Sequence, residues 1–549
     1  MLIWPYPAEM VNWWLKISTP TTSTAAQITL VPIYDNSVPP QISYEFQSAP
    51  PVQGLGLLNG VTNVEVNGHS LGGHLASAFA RLFGTSAGST GEGKVAIDYV
   101  TTFNSAGFNG NSTFVFHEIE RLIGTGLGRL PSSSEQTNGF AEHGINVTTN
   151  SFFSSQVGQR VEIFIEERTG IPNHYMYKLT DALALGDVIA RIDNTFDITR
   201  MNNLFESGSN KADASLESIL DALVHLFIGN SISDTPIGDE GDSPNSRVIY
   251  HFNLAALKDE LFDDATVLNP QLKPNYQNLR IVDVASLAGS ASLDTAEGLA
   301  YRYALTELNP FAVVGTDYNV HNNGALDFYN PTTGQGEITD QWLADRAQML
   351  SHLLQCNHDD TNFASSISSD QIFEDYALPG IFDGTQLILT GPETLGENSR
   401  QIIFGDDNAQ QITGGNKNDH LYGGGSDDVM TGGKGNDYLE GGAGSDIYAF
   451  IAGDGMDTIM DTDGQGKITL DGIQIKGQTG IDSAEWQQLS SATWQDQHNL
   501  ITYRLQTEAG NNQTLYILKD SDVIKIQNWR PGAIGSLGIT LGDGAAPAA

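Results

Sequence analysis

A single cysteine, Cys356, stands in 549 residues, so no intrachain disulfide can form, and a small buried thiol is its ordinary role. Basic residues are scarce: 26 Lys and Arg face 66 Asp and Glu, a formal net charge of -40. That balance excludes nucleic acid as a partner, because phosphate demands a basic face. It equally argues against electrostatic docking on anionic lipid. No apolar run reaches the roughly 18 residues that a membrane span needs. The opening stretch, MLIWPYPAEMVNWWLKIS, has neither a basic first region nor a small-residue cleavage site, so no cleaved secretory leader is expected. A large exported chain without disulfides needs another source of stability, and acids that bind a divalent cation would supply one.

What is present is enough apolar sequence (40%) to bury real cores, in a chain long enough for two or three domains. Residues 1–200 open with Pro-, Thr- and Ser-rich segments and then alternate strand-like and helix-like runs. VTNVEVNG, KVAIDYVTTFNSAG, INVTTNSFF and RVEIFIEE read as strands; LGGHLASAFARLFG, STFVFHEIERLIG and TDALALGDVIARI read as helices. Such alternation implies a mostly parallel sheet with helices on its faces. Residues 201–395 read as mostly helical, with LESILDALVHLFI and ITDQWLADRAQMLSHLL as the clearest helices, and as a continuation or cover of the first domain. From 396 to 549 the texture changes to glycine, aspartate and short strands.

The sharpest local signal in the first part is Gly68-His69-Ser70-Leu71-Gly72, extended to GHSLGGHLA, after a strand and before a helix. A serine shown at the tip of a strand needs an abrupt turn, and small neighbours let the turn close. The same turn leaves the Leu71 amide at a helix N-terminus, aimed where an oxyanion would develop. This stretch resembles the nucleophile elbow of bacterial and fungal lipases of the α/β-hydrolase fold. The resemblance covers roughly residues 55–185 and implies Ser70 as nucleophile and Leu71 as an oxyanion donor. It also implies a general base late in the domain, which falls on His174, after the strand RVEIFIEE and before a helix. His69 and His74 lie too near the elbow and read as packing; His117 and His143 precede the last strand. The third triad member stays unassigned. The two expected strand ends carry Asn104 and Asn150, Asp98 lies inside a strand, and Glu166 and Glu167 end the last one. No Gly-rich loop like the lipase HGGG precedes Ser70 to give a second oxyanion donor.

In the last part a nine-residue pattern repeats as GGNKNDHLY, GGGSDDVMT, GGKGNDYLE and GGAGSDIYA from Gly414, with degenerate copies at Gly405 and Ala452. Each copy makes one tight turn and one short strand, with an apolar eighth residue inward and an aspartate at the sixth place. Successive turns alternate sides, so Asp419 and Asp437 share one face, and Asp428 and Asp446 the other. The candidate metal residues are these four, with the turn glycines Gly415, Gly424, Gly433, Gly435, Gly442 and Gly444. Carboxylates and carbonyls are hard oxygen donors, which suit calcium. The block resembles the repeats-in-toxin (RTX) nonapeptide array. That resemblance implies a parallel β-roll, Ca2+, and secretion to the cell exterior by type I machinery reading a C-terminal signal.

Together the two resemblances imply an α/β plus all-β chain similar to bacterial RTX lipases or phospholipases A1. The implied activity is ester hydrolysis on lipid or small ester substrates through an acyl-enzyme on Ser70. A non-enzymatic, calcium-dependent surface protein with a relic hydrolase domain is the alternative. A peptidase has no specific support, since the chain has no HExxH.

Overall fold

The computed structural model describes residues 5–37, 40–108, 112–141, 156–165, 176–211, 214–237, 246–267, 269–322, 324–361, 365–368, 370–377, 387–391, 396–531 and 536–542. The chain divides into two compact units, residues 1–190 with 194–205, and residues 191–193 with 206–549. None of the described helices is long and apolar enough to cross a membrane.

The first unit begins with α1 (Pro5–Ser18) and a long antiparallel ribbon, β1 (Thr24–Tyr34) and β2 (Ile42–Gln53). Next come β3 (Asn63–His69), α2 (Leu71–Phe83), β4 (Ala96–Phe103), α3 (Ser112–Ile123), β5 (Gln136–Ala141), β6 (Gln159–Ile163), α4 (Met176–Ile192) and α5 (Ile198–Glu206). Strands β3 to β6 form one all-parallel sheet in chain order. Parallel neighbours need crossovers, and α2 and α3 supply the first two. Apolar side chains at helical spacing, Phe79, Leu82 and Phe83 on α2 and Phe116, Ile119 and Ile123 on α3, share one buried cluster with Val11, Trp14 and Leu15 of α1. The mixed α/β class and the parallel strands agree with the sequence. One strand was not read from the sequence: β5, Gln136–Ala141. INVTTNSFF, expected to be a strand, lies outside the described residues.

The second unit starts with α6 (Ser215–Phe227), α7 (Ser246–Leu261), the two-residue strands β7 (Phe262–Asp263) and β8 (Gln271–Leu272), and β9 (Arg280–Asp283). It continues with α8 (Ala296–Thr306), β10 (Phe311–Val314), α9 (Asn319–Asn322) and α10 (Asp340–Asp359). The longest of these helices, α10, has both ends fixed by its sequence. The Thr339 hydroxyl accepts the Trp342 N–H at one end, and Asp360 takes a left-handed φ of 52° at the other. Cys356, on α10, is fully buried. Residues 206–390 therefore group with the repeats, and not with the first domain as the sequence reading had it.

After β11 (Gln371–Asp375) and β12 (Leu387–Thr390) the chain alternates between two stacks. One receives β13 (Arg400–Phe404), β15 (His420–Gly425), β17 (Tyr438–Ala443) and β19 (Met456–Met460). The other receives β14 (Gln411–Thr413), β16 (Val429–Thr431), β18 (Asp446–Phe450) and β20 (Gly466–Leu470). Within each stack the strands are parallel, and His420 faces Tyr438 as Val429 faces Ile447, a step of 18 residues or two repeats. The roll closes on β21 (Ile473–Ile475) in one sheet. In the other, β22 (Trp486–Ser490), β23 (Thr493–Asp496), β24 (Ile501–Thr507), β25 (Gln513–Lys519) and β26 (Asp522–Ile526) form a meander that joins β19 through β26. The eighth-place residues Leu421, Met430, Leu439 and Tyr448 are fully buried and fill the space between the stacks. Leu439→Ala should therefore cost about 2–5 kcal/mol, the ordinary price of a cavity in a core that cannot collapse. Urea unfolding in calcium would measure it, and a loss below 1 kcal/mol would contradict this packing.

Candidate functional site

Ser70 is the first residue after β3 and takes φ 55° and ψ -121°. A non-glycine residue in that conformation costs of order 1–3 kcal/mol and persists only where its surroundings fix it. Here the Ser70 N–H donates to the Phe103 carbonyl at 2.9 Å, and the Ser70 carbonyl accepts from Ala106 N and His74 N, each at 3.3 Å. The turn is also sterically enforced. A Cβ at Gly68 would collide with the Gly72 carbonyl, and one at Gly73 would lie 2.8 Å from the Ser105 Cβ. Gly72 has nothing within 4 Å, so the second glycine of the pentapeptide is not needed for space; Gly73 is. Leu71 opens α2, so its N–H belongs to the first-turn donors that have no partner within the helix.

The histidines near the serine do other work. The His74 ring stacks on Phe108 at 4.1 Å, and burial holds its pKa below the usual imidazole value. His69 ends β3 half-buried, and His117 is exposed beside Glu120 on α3. His174, His143, Asn150, Glu166 and Glu167 lie outside the described residues. Asn104 follows β4 with φ 43°; its side-chain oxygen accepts the Ala141 N–H at 3.0 Å, and its own N–H donates to Gly139 at 2.8 Å. It thus laces the ends of β4 and β5. Asp98 sits on β4 and accepts from the Asn63 amide. Because β5 ends at Ala141, the residue that follows it in the chain is Glu142, which the sequence reading passed over.

The aspartates stack as the repeat demands. The Asp419 N–H donates to Asp437 Oδ1 at 2.8 Å, and the Asp428 N–H to Asp446 Oδ1 at 2.9 Å. Each ladder has further rungs. Asp437 N–H donates to Asp457 Oδ1 at 3.0 Å, so Asp457, the sixth residue of the degenerate copy at Ala452, continues the first ladder. The inserted Phe450 and Ile451 lengthen that step to 20 residues, which hid Asp457 from a strict nine-residue count. At the other end Gln401 and Gln410 hold the sixth places, and their N–H groups donate to Asp419 and Asp428 at 2.7 Å each. Amides without charge thus begin both ladders.

The groove is built for a cation. Gly433 and Gly435 take φ of 94° and 136°, and a Cβ at either would collide with a carbonyl of the turn below, Gly415 or Lys417. Gly424, Gly442 and Gly444 also have positive φ, whereas Gly415 does not. Among the described residues, Asp428, Asp437 and Asp446 each keep a buried Oδ2 without a hydrogen-bond partner. Burial, followed by neighbouring carboxylates, pushes Asp428, Asp437 and Asp457 up to about 7 and Asp446 to about 6; Asp419 is raised too. No cluster of three or more His, Cys, Asp or Glu side chains forms a cage among the described residues, so carbonyls must supply most donors. Orphaned carboxylate oxygens beside stacked carbonyls fit calcium.

With calcium removed by chelator, melting should fall by many degrees, because the aspartates repel and lie buried; an unchanged Tm would contradict the groove. The sign with pH follows from the raised pKa values. The folded roll then holds protons that the unfolded chain loses above 3.8. Calcium-free stability should fall as pH rises from about 4 to about 7 and stay low above it. Calcium displaces those protons, so its affinity should rise with pH up to about 7, with acid released on binding near pH 6.5. Calorimetry in buffers of different ionisation enthalpy would measure that release. Asp457→Asn should weaken calcium binding, while Asn408→Ala, away from the sixth places, should not.

Residues 404–439 and 413–448 match the family described as the RTX calcium-binding nonapeptide repeat, in four copies. A search of curated proteins finds no match to the chain. The region from Phe404 to Tyr448 consists of RTX calcium-binding repeats, and these bind calcium.

Proposed function

We propose that this chain is a secreted serine carboxylic-ester hydrolase whose C-terminal calcium roll stabilises it after export. The observation that carries the reading is the backbone of Ser70, held at φ 55° between a parallel strand and a helix N-terminus. Strain of that kind at an otherwise ordinary serine has a use if its Oγ must stand clear of the sheet to attack a carbonyl carbon. His174 follows β6 and precedes α4 in the chain, which is the order expected of the base. Glu142 follows β5, which gives a carboxylate the place expected of the acid. Both roles rest on chain order.

In this mechanism His174 takes the Ser70 proton as the Oγ–carbon bond forms, and the Leu71 N–H stabilises the oxyanion. Collapse expels the alcohol, which takes the proton from His174 and leaves an acyl-Ser70 ester. Water, activated by the same histidine, then releases the acid. The GHSLGG form points to lipid esters, triacylglycerol or phospholipid. RTX repeats support export by a type I system. The alternative, a non-enzymatic calcium-dependent surface protein, is favoured by the confinement of the family match to residues 404–448.

The test is hydrolysis of short- and long-chain p-nitrophenyl esters by wild type and Ser70→Ala in calcium. Ser70→Ala should lower kcat by roughly 10^4- to 10^6-fold with the fold intact, and a fluorophosphonate should label wild type only. Glu142→Gln should lower kcat with little change in KM. A wild type that neither turns over nor labels would favour the non-enzymatic reading.

A further inference from the structure

The two stacks of the roll differ at the seventh and ninth places of the repeat, where side chains point away from the core. On β16 and β18 these places hold Val429, Thr431, Ile447 and Ala449, all half-buried. On β15 and β17 they hold His420, Tyr422, Tyr438 and Glu440, and these meet helix α10. Asp345, on the second turn of α10 and 4% exposed, accepts from His420 Nδ1 and from the Tyr422 hydroxyl, each at 2.5 Å. Thr339, the residue that caps α10, donates to Glu440 Oε2 at 2.8 Å, and Tyr438 donates to the same carboxylate at 2.9 Å. Trp342 packs edge-on against Phe404 of β13, and Arg346 pairs with Asp375 of β11, in the same sheet.

The helix meets β13 through Trp342, β15 through Asp345 and β17 through Thr339, so the full set of contacts demands that these strands already be stacked. His420 and Tyr438 directly follow the ladder residues Asp419 and Asp437, so the stacking that sets one sets the other. If the strands part, α10 can follow only one of them: on β15 it leaves Glu440 without Thr339, and on β17 it leaves Asp345 without His420 and Tyr422, a costly loss for a buried carboxylate. We propose that α10 docks only on the calcium-folded roll. Calcium then orders a helix that lies up to 101 residues upstream of the roll residues it touches, and not the repeats alone. By reciprocity, the docked helix must tighten calcium binding at the Asp419–Asp437 ladder. The coupling is independent of whether Ser70 is a nucleophile.

Hydrogen exchange read by mass spectrometry during a calcium titration of the full chain tests this. Peptides from 340–359 and from 419–440 should gain protection at the same calcium concentration. Protection of 340–359 in chelator, with 419–440 exchanging freely, would overturn the proposal. The reciprocal arm uses Asp345→Ala, which should raise the calcium concentration for half-protection of 419–440 by about 5-fold or more. Thr431→Ala, on the other stack, should leave it within 2-fold. An unchanged midpoint in folded Asp345→Ala would refute the reciprocal linkage. Should that variant fail to fold, Tyr422→Phe, which removes a single donor to Asp345, must still shift the midpoint in the same direction.

Discussion

The second unit depends on one constraint: carboxylates stacked two repeats apart in a buried groove. Each ladder aspartate spends one oxygen on the amide of the aspartate, or glutamine, one full turn before it. That bond sets the strand spacing and, at Asp428, Asp437 and Asp446, leaves the second oxygen without a hydrogen-bond partner. Without a cation the arrangement opposes itself, which is why burial and mutual repulsion raise these groups so far. With calcium the same geometry becomes a chelate, and eighth-place residues from Leu421 to Tyr448 are brought between the sheets together. Apolar packing and metal binding are therefore two aspects of one register.

Why the roll could be read from its sequence follows from this. In a strict repeat every position has one environment, so Asp419, Asp428, Asp437 and Asp446 announce their faces by spacing alone. The reading failed where the rule was bent. Asp457 was displaced by the insertion of Phe450 and Ile451, and Gln401 and Gln410 replaced the signal residue while keeping its backbone role. The grouping of residues 206–390 with the roll was hidden for another reason. Its contacts use His420, Tyr422 and Glu440, which in sequence look like the solvent-facing places of a strand.

In the first unit the elbow was legible because its constraint is steric and local: Gly68 and Gly73 have carbonyl and side-chain atoms where a Cβ would go. Strand β5 was not. QTNGFA has no apolar alternation, yet Gln136 and Asn138 are buried. Their needs are met by Ser77, Thr102, Val157 and Gln156, so a polar network does what a hydrophobic stripe ordinarily does. Such satisfaction depends on partners up to 59 residues away and leaves no periodic trace. Because β5 went unread, the place directly after it in the chain, Glu142, was not weighed as a carboxylate.

The distribution of charge bears on what each unit can do. Residues 396–471 carry fourteen Asp and Glu against four Lys and Arg, about a quarter of the net charge of the chain. Calcium chemistry therefore explains only part of the acidity; the remainder lies outside the repeats. Around the elbow the pattern reverses. From Ile17 to Ala80 there is no Lys or Arg, and the only acids are Asp35, Glu45 and Glu65. If Ser70 is the proposed nucleophile, its activation would come from a positioned base and from the helix N-terminus. The two strained residues, Ser70 and Asn104, stand at the carboxyl ends of adjacent parallel strands, where sheets of this kind hold their ligands. Asn104 is locked to β5, so the strain at Ser70 rests on a neighbour held by hydrogen bonds, the support that the proposed nucleophile would need.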